Sequence, residues 1–240
     1  MYRNQTSGSE FVMAASGDLT IEYAPFDHIE TRAELAIVGL TPGRTQATNA
    51  LASFSEALKK ELPIDEAMAL AKRVASFSGP MRANLLAMLD AIGVPALFGR
   101  KQAADFFSSS DGLVHFTSAL RYPVYVAGKN YSGNPAPLKH PLLKNLVDTC
   151  LAKEAAAIKN AVWIPLGPHA EAALLHLAAS NKLDRIKVLA GLPHPSGANA
   201  ERIAYFLGRK DAGSLSTKTN PDRIDNAKRR LLDQISQLHR

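Results

Sequence analysis

Apolar positions along this chain fall into two rhythms. Four short runs, at residues 35–38, 113–116, 161–166 and 186–189, are apolar almost throughout and end in Gly, Pro, Ser or Thr. Strands buried on both faces have this signature, whereas half-exposed strands alternate. Between the runs lie stretches whose apolar residues recur every three to four positions: 48–62 and 64–92, then 141–159, then 169–182. Strands alternating with helices predict βαβ units, a parallel sheet and helices on both of its faces. A last helix is predicted over 221–240, where Ile224, Ala227, Leu231, Leu232, Ile235 and Leu238 share one face behind Asp222.

The spacing of these elements gives an organisation. Residues 1–18 are polar, broken by Gly and Ser, and read as a flexible leader. Residues 19–207 form the α/β domain, and 208–240 a linker plus a C-terminal helix packed on that domain. With 240 residues, 46% of them hydrophobic, the chain is long enough to bury a large core as one domain. No run approaches the ~20 apolar residues of a membrane span, and the leader has no apolar stretch of signal-peptide type. A cytoplasmic protein is expected. A single cysteine, Cys150, excludes an internal disulfide and any multi-cysteine metal centre; its apolar neighbours make it an expected core residue. The net charge of +6 favours an anionic partner.

In a parallel α/β sheet, ligands bind at the carboxyl ends of the strands. Those ends are 39–46, 117–123, 166–169 and 191–199, all rich in Gly, Pro and small polar residues. In the first, Gly39-Leu40-Thr41-Pro42-Gly43 suits a tight strand-to-helix turn. In the last, His194-Pro195-Ser196 is a rigid loop that fixes an imidazole. A helix starting near Asn199 places backbone N–H groups and the Ser196 hydroxyl where a phosphate can be gripped. The Gly- and Pro-rich stretch 122–138, with Tyr122, Tyr125 and Tyr131, reads as a long loop, either stacking bases beside the site or covering it as a surface flap.

From about residue 35 to 205 these segments resemble the uracil-DNA glycosylase superfamily. Residues 35–43 are similar to its first motif, a strand followed by Gly-x-x-Pro-Gly, and His194-Pro195-Ser196 to its second. Residues 162–167 resemble its apolar strand and Leu-Gly turn, and 116–121 stand where many members carry Thr-Asn-Ala-Val-Lys. The resemblance implies an α/β class fold, a three-layer α/β/α sandwich around a four-stranded parallel sheet. It implies a monofunctional DNA glycosylase that hydrolyses the bond to a uracil flipped out of DNA and so initiates base excision repair, without cofactor or metal.

By position, His194 would hydrogen-bond the leaving base, and Ser196 a flanking phosphate. Gly197, Ala198, Asn199 and Arg202 would lie at the wedge in the minor groove. Arg44 and Arg121 are further candidates for phosphate contact. Thr41 stands where active members carry Asp or Asn to hold the attacking water, and Gln46 is a candidate to assist it. Ser118 takes the place of the Asn that reads the base edge, with His115 as a substitute; Leu40 lines the base site and Phe54 stacks on the base. The cysteines of the iron–sulfur branches are absent, and no lysine is placed as a Schiff-base nucleophile. The expected partner is uracil-containing DNA, single- or double-stranded, met by a monomer with no membrane association. Two alternatives stay open: a protein of this fold that binds uracil or abasic DNA with little turnover, and an α/β enzyme on a small phosphorylated metabolite. The second lacks a Walker lysine motif, a Gly-x-Gly-x-x-Gly and a nucleophile elbow.

Overall fold

Strand-forming segments build two sheets, in a computed structural model that describes residues 9–76, 80–108 and 112–238. The strands are β1 (Val12–Ser16), β2 (Leu19–Glu22), β3 (Leu35–Gly39), β4 (Val114–Ser118), β5 (Val124–Val126), β6 (Lys129–Asn130) and β7 (Val162–Pro165). The parallel sheet has the order β4-β3-β7, with Gly39 opposite Ser118 and Val38 opposite Pro165. Its three carboxyl ends are therefore level. The central strand β3 is buried at every position, as its unbroken apolar run requires.

The run at 186–189 is not a fourth strand. Arg185–Lys187 is a turn of 3-10 helix, capped by the Asp184 carboxylate, which accepts from the Ile186 N–H at 3.1 Å. Val188 alone joins the sheet, by an isolated parallel bridge to Trp163. Charged Arg185 and Lys187 flank Ile186, which is left 37% exposed, so this short run has no second buried face to hold it extended. The expected four-stranded parallel sheet is thus three strands and one bridge.

The other sheet, antiparallel in the order β1-β2-β5-β6, takes β1 from the expected leader, β5 and β6 from the expected long loop, and β2 from the start of the expected domain. Its first strand falls within the expected leader, of which residues 1–8 lie outside the described residues. Leu19 and Ile21 alternate inward along β2. The stretch 122–138 contains the hairpin β5–β6, closed by Ala127 and Gly128, both with positive φ, 48° and 72°. A two-residue turn of this kind matches the twist of its strands.

The helices are α1 (Arg44–Lys59), α2 (Ile64–Ala75), α3 (Pro80–Ala91), α4 (Asp105–Ser108), α5 (Pro141–Leu146), α6 (Ala152–Ala157), α7 (Pro168–Ala179), α8 (Ala200–Phe206) and α9 (Pro221–Leu238). The periodic stretch 64–92 is two helices, with Pro80 opening the second, a position where its missing N–H costs nothing. A turn of π-helix, Val147–Leu151, joins α5 to α6, and Cys150 in it is half-buried and packs against the edge of the core. Ala36, Val38 and Trp163 face one core with α5, α6 and α7; Leu35, Ile37 and Ile164 face another with α3, α8 and α9, to which Leu231 and Ile235 contribute. Each fully buried Leu or Ile stabilises this packing by about 1.5–3 kcal/mol. Among the described residues no helix is long and apolar enough to cross a membrane.

Candidate active site

A cleft of about 480 Å³ opens at the carboxyl ends of β3 and β4. It brings together Leu40, Thr41, Gln46, Ser118, Arg121 and His194, from three separate stretches of chain. Phe26, Phe116 and Tyr131 add aromatic surface, and Thr117 a hydroxyl whose oxygen is buried without a partner among the described residues. No Asp or Glu lines this cleft among the described residues.

His194 is held from three sides. Nδ1 accepts a hydrogen bond from the Ser196 N–H at 3.3 Å. Behind the ring is Gly167, at φ +93°, where a β-carbon would stand 3.4 Å from the imidazole Cδ2. The Asn84 side chain on α3 donates to the Pro195 carbonyl at 2.9 Å and so anchors the loop. Burial pushes the His194 pKa below its ordinary value. The ring is therefore neutral at pH 7, and because Nδ1 accepts, its proton sits on Nε2. Nε2 has no protein partner among the described residues, so it can donate to a ligand in the cleft. Outside the cleft, Gly197 and Ala198 are exposed. Asn199 donates to Ser196 Oγ at 3.3 Å and accepts from Arg202 at 2.8 Å, which makes one connected polar rim.

On the facing wall Thr41, Gln46 and Arg44 are committed to the fold. The Thr41 hydroxyl donates to the Tyr122 carbonyl at 3.0 Å and accepts from the Val124 N–H at 3.2 Å, tying the first turn to the hairpin. Gln46 accepts from the Gly43 N–H at 3.0 Å and donates to the Ala75 carbonyl at 3.2 Å. Arg44 donates to the Gly128 carbonyl at 3.1 Å and lies over the Tyr125 ring, with its guanidinium carbon 4.2 Å from the centroid. Ser118 is half-buried, and its hydroxyl has no partner among the described residues.

Beneath the cleft lies a buried charge cluster. Glu154, 0% exposed, accepts from Arg121 Nε at 2.7 Å and faces Arg121 NH2 at 2.6 Å and His115 Nε2 at 3.0 Å. Burial raises the Glu154 pKa, but Lys72, His115 and Arg121 outweigh it and bring the carboxyl down to about 2. Burial above all, with Lys72 adding to it, pushes His115 down to about 4. His115 also accepts from the Glu30 N–H at 3.3 Å and does not line the cleft, so it holds the framework rather than the ligand. Nor does Phe54 reach the cleft: it packs on the small core of α1 and α2, and Phe26 in that same core is the aromatic at the wall.

Lys72 and Asn84 escaped the sequence reading. Lys72 had a visible signal, since it interrupts a face of α2 that is otherwise alanine (Ala67, Ala71, Ala75). Asn84 had none, because its partner is 111 residues away. Among the described residues, no three of His, Cys, Asp and Glu come together to hold a metal ion.

No family model matches this chain, and no solved structure matches it. It is 35% identical over 204 residues to the uncharacterized protein YoxB of Bacillus subtilis (strain 168), covering 84% of this chain and 80% of that one. By that likeness the chain belongs to the family of YoxB.

Proposed function

We propose that this protein is a DNA glycosylase that accepts a uracil flipped out of DNA and hydrolyses its glycosidic bond. The reading places the chain with the uracil-DNA glycosylase fold and in the cytoplasm. The observation that carries it is His194: a neutral imidazole with a free Nε2–H, fixed at the strand ends beside a cleft of nucleobase scale. A cleft of about 480 Å³ lies within the range of small-ligand sites, and its aromatic walls suit a flat ring.

As the bond to the sugar lengthens, negative charge builds on the base. Nε2–H donates to the base oxygen, and it does so more strongly in the transition state than in the ground state. Ser118 and Thr117 offer hydroxyl donors and acceptors to the polar edge of the base. The rim of Ser196, Asn199 and Arg202 meets the phosphate backbone outside.

The test is cleavage of uracil-containing oligonucleotides, single- and double-stranded, read as alkali-labile breaks. His194→Ala is expected to lower the rate about 10²–10³-fold, as for other single donors to a developing anion. Wild-type protein that neither cuts nor selectively binds uracil-containing DNA overturns the proposal. A second reading, binding of uracil or abasic DNA without turnover, is favoured by one observation: the Thr41 hydroxyl and the Gln46 amide are both taken up in structural bonds, and among the described residues no carboxylate lines the cleft to direct a water. Selective binding without any cut would establish it.

A further inference from the structure

We infer that Lys72 is a nucleophilic amine that condenses with the sugar aldehyde of abasic DNA, which gives the chain a lyase activity at the same cleft. This inference rests on the reading of the cleft as a site for uracil and abasic DNA. Lys72 stands on α2, 5% exposed, and lines the cleft together with Thr117, Ser118 and His194. Its ammonium donates to the His28 carbonyl at 2.6 Å and makes no ion pair among the described residues. Glu154, met by the Arg121 guanidinium at 2.6 and 2.7 Å, makes no direct ion pair with Lys72 and acts on it only through its field. Lys72 thus has no carboxylate in direct contact among the described residues, and burying such a cation costs stability. Burial is also the main force on its proton: opposed by Glu154 and reinforced by Arg121, it brings the ammonium down to about 8. A desolvated lysine of this kind holds a sizeable neutral fraction near physiological pH and attacks carbonyl carbon.

Loss of the base leaves a deoxyribose whose open form carries an aldehyde at C1′. The Nζ lone pair forms a bond to C1′, and the carbonyl pair moves to oxygen. That oxygen takes up one proton from the amine and one from solvent and leaves as water, which gives the protonated imine. A C2′ proton passes to water, the C3′–O bond breaks, and its electron pair departs with the 3′ phosphate. No oxidant or reductant enters.

The experiment treats the full chain with sodium borohydride in the presence of two oligonucleotides, one carrying uracil and one a preformed abasic site. Borohydride reduces an imine to a stable amine, so the expected result is a covalent protein–DNA adduct on the abasic oligonucleotide. Peptide mass spectrometry of the wild-type adduct is expected to place it on Lys72, and Lys72→Met to abolish it. Mapping the wild type keeps the test independent of whether the variant folds. Uracil excision without an adduct, or an adduct on any other amine, overturns the lysine and leaves the glycosylase standing. An adduct on Lys72 without uracil excision does the reverse.

Discussion

Replacing Glu154 with Gln isolates the charge beneath the cleft, since the amide keeps the volume and one acceptor oxygen but removes the counter-ion. Arg121, 6% exposed, then stays cationic, with Asp27 at 3.8 Å as its remaining carboxylate. Breaking a buried pair in this way costs about 3–5 kcal/mol, because the abandoned charge cannot be hydrated. In a domain of this size each kcal/mol shifts the melting temperature by about 2–4 °C, so Glu154→Gln is expected to melt roughly 6–20 °C lower at pH 7. The acid limb gives a second signature. Glu154 titrates near 2 in the fold against an ordinary 4.5. Its contribution is therefore complete above pH 4.5 and is lost as the pH falls from there through about 2. The variant lacks that portion of the wild-type loss. Thermal melts and urea titrations of both proteins from pH 7 to pH 3 provide the measurement. A cost below about 1 kcal/mol, the scale of an exposed ion pair, together with parallel acid limbs, would refute the buried-cluster reasoning.

His115 adds a loss at milder acidity. Its folded pKa of about 4 lies below the ordinary 6.5, so the unfolded chain takes up the proton first as the pH falls. Stability is expected to drop between pH 6.5 and 5, above most of the carboxylate range, and to drop less in His115→Gln; urea midpoints that stay flat across that window would contradict this. Thr41→Val removes the bonds to the Tyr122 carbonyl and the Val124 N–H. It is expected to cost about 1–3 kcal/mol of stability while leaving excision per folded molecule within a few-fold of wild type. A loss of about 10² or more in that rate would instead make Thr41 part of the hydrolytic machinery.

Much of this molecule can be read along the chain. The runs at 35–38 and 161–166 mark β3 and β7 because strands buried on both faces leave no polar alternation, and 113–116 marks β4, an edge strand whose burial alternates. His194 stands out by its prolines and its place after the last run, and the cleft wall includes it. The antiparallel sheet was less legible. β1 is apolar from Val12 to Ala15 but has four exposed positions and no alternation, and β6 has two residues, both exposed, so neither carries the pattern of a strand with one buried face.

The divided outcome at the site has a similar cause. That Leu40, Ser118 and His194 meet follows from their positions at strand ends, which the order of runs and turns determines. Which groups stay free there does not follow. Thr41 is spent on Tyr122 and Val124, 81 and 83 residues away, and His115 turns away from the cleft toward Glu154, 39 residues on. Phe54 yields its place at the wall to Phe26, and Lys72 arrives from a helix with no motif. Periodicity reports which face of a segment is buried, a local property of the amino-acid order. Whether a buried polar group is satisfied by the protein or left for a ligand depends on partners that only the folded chain brings within hydrogen-bond distance.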